Sequence, residues 1–146
     1  MNINNQVAVA IASFIGGLPV PGSPTIVSGI KTDLNAAQDS RIIVIGERSD
    51  LRKPSLPGLY DVTGSVNIIQ SVDTDGCEAA FHATCDYINN ALGGRYGMPG
   101  ILQAIDPYLY VYSYQWIGSN LAASDRKFLA VYQWTAFVRN TANTFN

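Results

Sequence analysis

The chain has 146 residues, nine basic and eleven acidic, for a net charge of −2; 47% are apolar and only 14% charged. That length suits one domain able to bury most of its unfolded surface. The scattered basic residues exclude the footprint of a nucleic-acid binder. A charged fraction well below the usual ~25% leaves more apolar and neutral polar surface than a free monomer shows, which points to assembly with partners.

The first apolar stretch, VAVAIASFIGGL, has no positive flank ahead of it, since the first basic residue is Lys31. A secretory signal needs such a flank, and a membrane span needs about 20 apolar residues. The stretch therefore reads as a buried helix from Asn4 to Ile15, with Val7, Ile11, Phe14 and Ile15 on one face, and no membrane is implied. Gly16 and Gly17 stop it and LPVPGSP forms a loop. TIVSGI is a short strand, KTDLNAAQDS a polar connection or a single helical turn, and RIIVIG a strand whose apolar run predicts burial on both faces.

ERSDLRKPSLPG, residues 47–58, follows. It holds five of the chain's twenty charged residues within seven positions. A loop of this length in a compact domain is often functional, so Arg48, Asp50, Arg52 and Lys53 become candidate interface residues, against the alternative of a merely solvated loop. From Tyr60 the pattern has period two. Tyr60, Val62, Val66, Ile68 and Val72 share one side, and Asp61, Thr63, Ser65, Asn67 and Ser71 the other. This predicts one long strand, bent or bulged at Gly64, pairing with RIIVIG as an antiparallel hairpin tipped by the charged loop.

VDTDGCEAAFHATCDYINNALGG predicts a helix from Asp75 to Leu92. Asp75 and Glu78 stand as a capping box, and Cys77, Phe81, Cys85, Ile88 and Leu92 lie close to one face. RYGMPGILQAIDP reads as a loop. YLYVYSYQWI alternates Tyr108, Tyr110, Tyr112, Tyr114 and Trp116 against Leu109, Val111, Ser113, Gln115 and Ile117. Such an aromatic face either packs under a helix or forms an interface, where Tyr and Trp are enriched; Tyr110, Tyr112 and Trp116 are the candidates. FLAVYQWTAFV is the last strand, and residues 139–146 are expected to be a flexible or partner-bound tail. The elements together predict a single α+β domain over residues 1–146: an antiparallel or mixed sheet of four to five strands with helices packed on it.

Reactive chemistry is sparse. Cys77 and Cys85 stand eight residues apart, about 12 Å along a helix, too far for a disulfide. They read as buried, free thiols. On that helix His82, the single histidine, points 140° from Cys77 and Cys85 points 80° from it, so the three do not converge on a metal ion or form a Cys–His nucleophile. Asp73 and Asp75 are accounted for by helix capping, and no phosphate-binding glycine motif is present. No catalytic residue, metal or cofactor is expected.

The order of elements resembles the tail terminator (tail completion) proteins of long-tailed bacteriophages. The likeness is carried by the N-terminal apolar helix, by RIIVIGERSD, PGLYDVTGSVNIIQSVD and the acidic-capped DGCEAAFHATCDYINNAL, and by the closing DRKFLAVYQWTAFVRN. It covers most of residues 1–140 as a pattern of elements rather than a motif. It implies a non-enzymatic virion subunit of the tail and neck, assembled in the host cytoplasm. Its partners would be its own copies in a homohexameric ring, the tail tube protein and the head-side connector. The ring would cap the tube and end its polymerisation. Another head–tail connector subunit and a stand-alone protein-binding domain are the alternatives.

Overall fold

The computed structural model describes residues 2–22, 24–29, 40–52, 58–71, 77–93, 97–124 and 127–140, with backbone alone for 77 and 119–124. Among them the order is α1 (Ile3–Gly16), β1 (Thr25–Ser28), β2 (Ser40–Leu51), β3 (Leu59–Ser71), α2 (Cys77–Gly93), α3 (Met98–Ile105), β4 (Leu109–Ser124) and β5 (Lys127–Asn140). The strands form one mixed sheet in the order β1-β2-β3-β5-β4. Only β1–β2 is parallel; the other pairs are antiparallel. The domain is thus α+β, three helices on a five-stranded sheet.

α1 starts where the Asn2 side chain accepts the Asn5 backbone N–H at 2.9 Å, occupying a donor that the first helical turn leaves unpaired. Ile3, Val7, Ile11 and Ile15 recur every four residues and are buried as one stripe; Phe14 is half-buried beside them. They join Val62, Val66 and Ile68 of β3 and Ala130, Tyr132, Trp134, Ala136 and Val138 of β5 in one core. The same core takes in Phe81, Cys85, Ile88 and Leu92 of α2 and Met98 and Leu102 of α3. Each fully buried large apolar side chain contributes roughly 1.5–3 kcal/mol. All three helices therefore lie on one side of the sheet, and no described helix covers the other.

The alternation in β3 holds from Tyr60 to Ile68, so its apolar row faces the helices; Ile69 on the other side and Gln70 on this one break it. Ile42 and Val44 of β2 enter the same core, while Ile43 is buried on the opposite face, in keeping with its apolar run. α2 crosses β3, β5 and β4, while α1 covers β2, β1 and part of β3. Phe81 accordingly stacks on Phe128 of β5, with ring centroids 5.3 Å apart.

Four expectations need correction. Residues 47–51 are not loop: β2 runs to Leu51, pairing Arg48 with Thr63 and Asp50 with Asp61. Ladder hydrogen bonds to β3 outweigh the poor strand propensity of charged residues. The bulge lies not at Gly64 but opposite it, at Glu47 between Gly46 and Arg48. Gly64 is needed instead because a Cβ there would collide with the Trp134 ring and the Ile45 carbonyl. RYGMPGILQAIDP contains a helix, α3. Met98, Ile101, Leu102 and Ile105 have helical spacing, Pro99 sits in the first turn where its missing N–H is tolerated, and Gly97 at the N-cap takes the left-handed φ of 80° that favours glycine. Finally, Arg139 and Asn140 belong to β5 rather than to a tail.

The polar connection over 31–39, the capping residue Asp75, Val72 and residues 141–146 lie outside the described residues. A polar link closes the helical side: Gln6 donates from Nε2 to Asp106 Oδ2 at 2.9 Å and accepts from Asn140 Nδ2 at 2.8 Å. It joins α1, the end of α3 and the end of β5.

Candidate interface on the open sheet face

Strand parity decides which side chains reach the face that no described helix covers. On β3 these are Asp61, Thr63, Ser65, Asn67 and Ile69; on β5 they are Leu129, Val131, Gln133, Thr135, Phe137 and Arg139. The Glu47 bulge lets Arg48 and Asp50 share that side with Thr63 and Asp61.

β4 behaves differently from its sequence pattern. It carries two bulges, at Tyr112 and at Ile117. An extra residue in one strand reverses the facing of everything beyond it. Leu109 and Val111 point to the core, and Tyr110 and Tyr112 point outward, each 44% exposed. Past Tyr112 the parity inverts, so Tyr114 and Trp116 turn toward the helices and pack against the core. Trp116 is therefore not on the interface face. It stacks on Tyr132 with centroids 5.2 Å apart and donates from Nε1 to Asn89 Oδ1 at 2.8 Å. Tyr108 precedes the strand, in the turn.

At the hairpin end of the open face, side chains from four elements meet. Tyr110 and Tyr112 lie with ring centroids 4.6 Å apart, and Tyr112 stacks on Phe137 at 4.8 Å. Arg52 lies over the Phe137 ring, 3.6 Å from its centroid. Asp61 fixes it there by accepting from Nη2 at 2.6 Å and Nε at 3.1 Å. This hydrogen-bonded carboxylate raises the Arg52 pKa above its ordinary value. Nearby, Arg48 pairs with Asp50 at 2.7 Å. A groove of about 380 Å³ runs on across the face between the two bulges, lined by Glu47, Arg48, Thr63, Ile117, Gln133 and Thr135.

The structure thus brings Arg52, Tyr110 and Tyr112 into one shelf and sets the Arg48–Asp50 pair on the same face. Lys53 lies outside the described residues. Asp61 and Phe137 belong to the shelf and were missed from sequence. Asp61 stood in the polar row of β3, and alternation along FLAVYQWTAFV would have put Phe137 with Gln133 and Thr135. What hid the shelf is the pairing of β3 with β5, which sets Asp61 beside Phe137. Chemically the arrangement is an ion pair set against stacked, half-exposed aromatic rings. Its guanidinium is bonded to Asp61 and stacked on Phe137, its rings are flat and half-exposed, and its charges are largely paired within the chain.

On the helical side, Cys85 is a buried free thiol, and burial pushes its pKa up to about 11. His82 is exposed and 3.9 Å from Glu78, so it does not meet Cys85. Among the described residues no cluster of His, Cys, Asp and Glu could hold a metal ion. No described helix is long and apolar enough to cross a membrane. No family model matches the chain, and no curated protein matches it significantly.

Proposed function

We propose that the protein is a structural, self-assembling subunit of a phage tail, a ring-forming terminator that caps the tail tube, ends its polymerisation and receives the head-side connector. The observation that carries this reading is the open sheet face ending in the Arg52–Phe137–Tyr112–Tyr110 shelf. A sheet face that no described helix covers, with half-exposed aromatics at its edge, is suited to burial by another protein. The low charge of the chain fits a subunit that contacts neighbours on several sides. The order of elements, with its likeness to tail terminators, supports this assembly over other binding roles.

The test is direct. Light scattering should give a mass near six subunits, and electron microscopy should show rings. Added to its polymerising tube subunit, the protein should yield shorter, capped tubes. A protein that stays monomeric at every concentration and leaves tube length unchanged would refute the reading.

A further inference from the structure

The outer strands of the sheet, β1 and β4, carry no Lys, Arg, Asp, Glu or Pro over Thr25–Ser28 and Leu109–Ser124. Edge strands are usually blunted by charge, proline or a covering element, because an unpaired row of N–H and C=O groups templates another strand. β4 is covered only at its start. The Leu109 N–H donates to the Asp106 carbonyl at 3.0 Å, and the Val111 N–H to Gln103 Oε1 at 3.3 Å. Those bonds point away from β5, so the pairs Leu109–Asn140 and Val111–Val138 are of the non-hydrogen-bonded kind. Alternation along β5 makes Tyr114–Ala136 and Trp116–Trp134 non-hydrogen-bonded too, and the backbone groups of Tyr114 and Trp116 face outward. On β1 the Gly29 N–H bonds inward, to the Val44 carbonyl at 2.9 Å. The backbone groups of Ile26 and Ser28 therefore also face outward. Among the described residues nothing pairs with the outward groups of these four.

We propose that β1 of one copy adds antiparallel to β4 of the next, with Ile26 opposite Trp116 and Ser28 opposite Tyr114, so that the sheet continues from copy to copy. The inference rests on the self-assembly reading above. Three features of the two edges match. The first is length. Bulges at Tyr112 and Ile117 leave Ser113–Trp116 as a regular open stretch of β4, and β1 has the same four residues. Outward groups recur at every second residue on both, so they mate as two hydrogen-bonded pairs. The second is facing. Ile26, Tyr114 and Trp116 all pack against the core from the helical side, and Ser28 shares the parity of Ile26. Paired residues thus stand on the same side, and the helices of both copies stay on one side of the joined sheet. The third is direction. β1 runs with β2 and β5, whereas β4 runs against them, so copies that keep one orientation meet antiparallel. Because the two edges are different surfaces, the contact is heterologous, and each added copy presents the same two edges again. Such contacts close into a ring when the rotation per copy allows.

The experiment introduces single cysteines in a Cys77→Ser background. In this register Val27 and Gln115 face each other as a non-hydrogen-bonded pair, where side chains come closest. Within one chain they lie on opposite edges of the sheet, about 19 Å apart across the intervening strands, too far for a disulfide. Val27→Cys mixed with Gln115→Cys should form disulfide-linked dimers on oxidation, while neither variant should link to itself. Two further variants read the contact without cross-linking. Ser28→Pro removes an outward N–H and leaves the bonds of β1 to β2 in place. Gln115→Lys sets a charge on the open edge at an exposed position. Each should weaken self-association, read by sedimentation, about tenfold or more, and thermal melts confirm that each chain folds. Wild type that assembles while the mixture forms no link, while Gln115→Cys links only to itself, or while both substitutions leave association unchanged, overturns the edge pairing and leaves self-assembly standing. Wild type that stays monomeric at every concentration removes both.

Discussion

Asp61 and Phe137 are register partners on neighbouring strands, and Arg52 is held by both: its guanidinium is bonded to the carboxylate and stacked on the ring. A planar fork suits both contacts at once, whereas an ammonium offers neither the bidentate geometry nor the stacking. The residue is therefore presented in one orientation instead of waving in solvent, and an ordered side chain loses less entropy when a partner covers it.

Arg52→Lys should accordingly leave the melting temperature of the isolated chain unchanged while weakening self-association. Phe137→Leu should do the same by removing the platform and keeping the apolar bulk. Sedimentation beside thermal melts separates the two effects. Equal association by wild type and both variants would show the shelf to be only surface.

Phe81→Ala should act on the fold. Phe81 is 2% exposed and packs on Phe128 between α2 and the sheet. Truncation of a buried Phe costs about 3–5 kcal/mol, a large share of a small domain's stability. Urea unfolding is the measurement. A midpoint unchanged from wild type would mean that α2 is not anchored through this ring.

Gly64→Ala tests a close backbone approach in the sheet. The added methyl would have to displace the Trp134 ring, which is fully buried, or the Ile45 carbonyl. Overpacking of this kind costs about 1–3 kcal/mol. Trp134 fluorescence should shift along with the loss of stability, and a variant with native emission and native stability would contradict the packing described.

Tyr114→Phe should run the other way. The Tyr114 hydroxyl is buried without a hydrogen-bond partner among the described residues, and burial raises its pKa. Removing a buried, unpaired polar group while keeping the ring should be neutral or stabilising, by up to about 1–3 kcal/mol. A clear loss of stability on denaturation would indicate that the hydroxyl has a partner after all.

Stability should also fall in alkali. Burial raises the Cys85 thiol to about 11, an effect strengthened by the nearby Asp86 charge and opposed by hydrogen bonding with Tyr132. Unfolded, the thiol ionises near its ordinary value of 9.0. Between those values the folded state binds the proton more tightly than the unfolded one, so stability decreases as pH rises through that window. Below the unfolded value both states are protonated and the group contributes no slope. Cys85→Ala should flatten the pH dependence of unfolding between pH 9 and 11, and a slope identical to wild type would assign it to other groups.

The long strand β3, the stop of α1 at its glycines and the buried face of α2 were legible because each follows a local period, and a period survives whatever the element packs against. α3 was misread because Gly97, Pro99 and Gly100 look like loop punctuation. Its helical spacing of Met98, Ile101, Leu102 and Ile105 becomes persuasive only once Met98 and Leu102 are seen to enter the core. Glu47–Leu51 was misread because charged residues favour loops in isolation, and only pairing with β3 extends the strand through them.

The sequence by itself determined the α+β class, the apolar stripes that form the core and the low charge that leaves surface to cover. Those are properties of composition and period, which act over a few residues. Tertiary structure alone decided where the aromatics went. The bulge at Tyr112, set by the register of β4 with β5, leaves Tyr110 and Tyr112 outward and turns Tyr114 and Trp116 inward, although all four share one parity in the sequence. Register is a relation between strands distant along the chain, and one inserted residue reverses the side on which every later side chain falls.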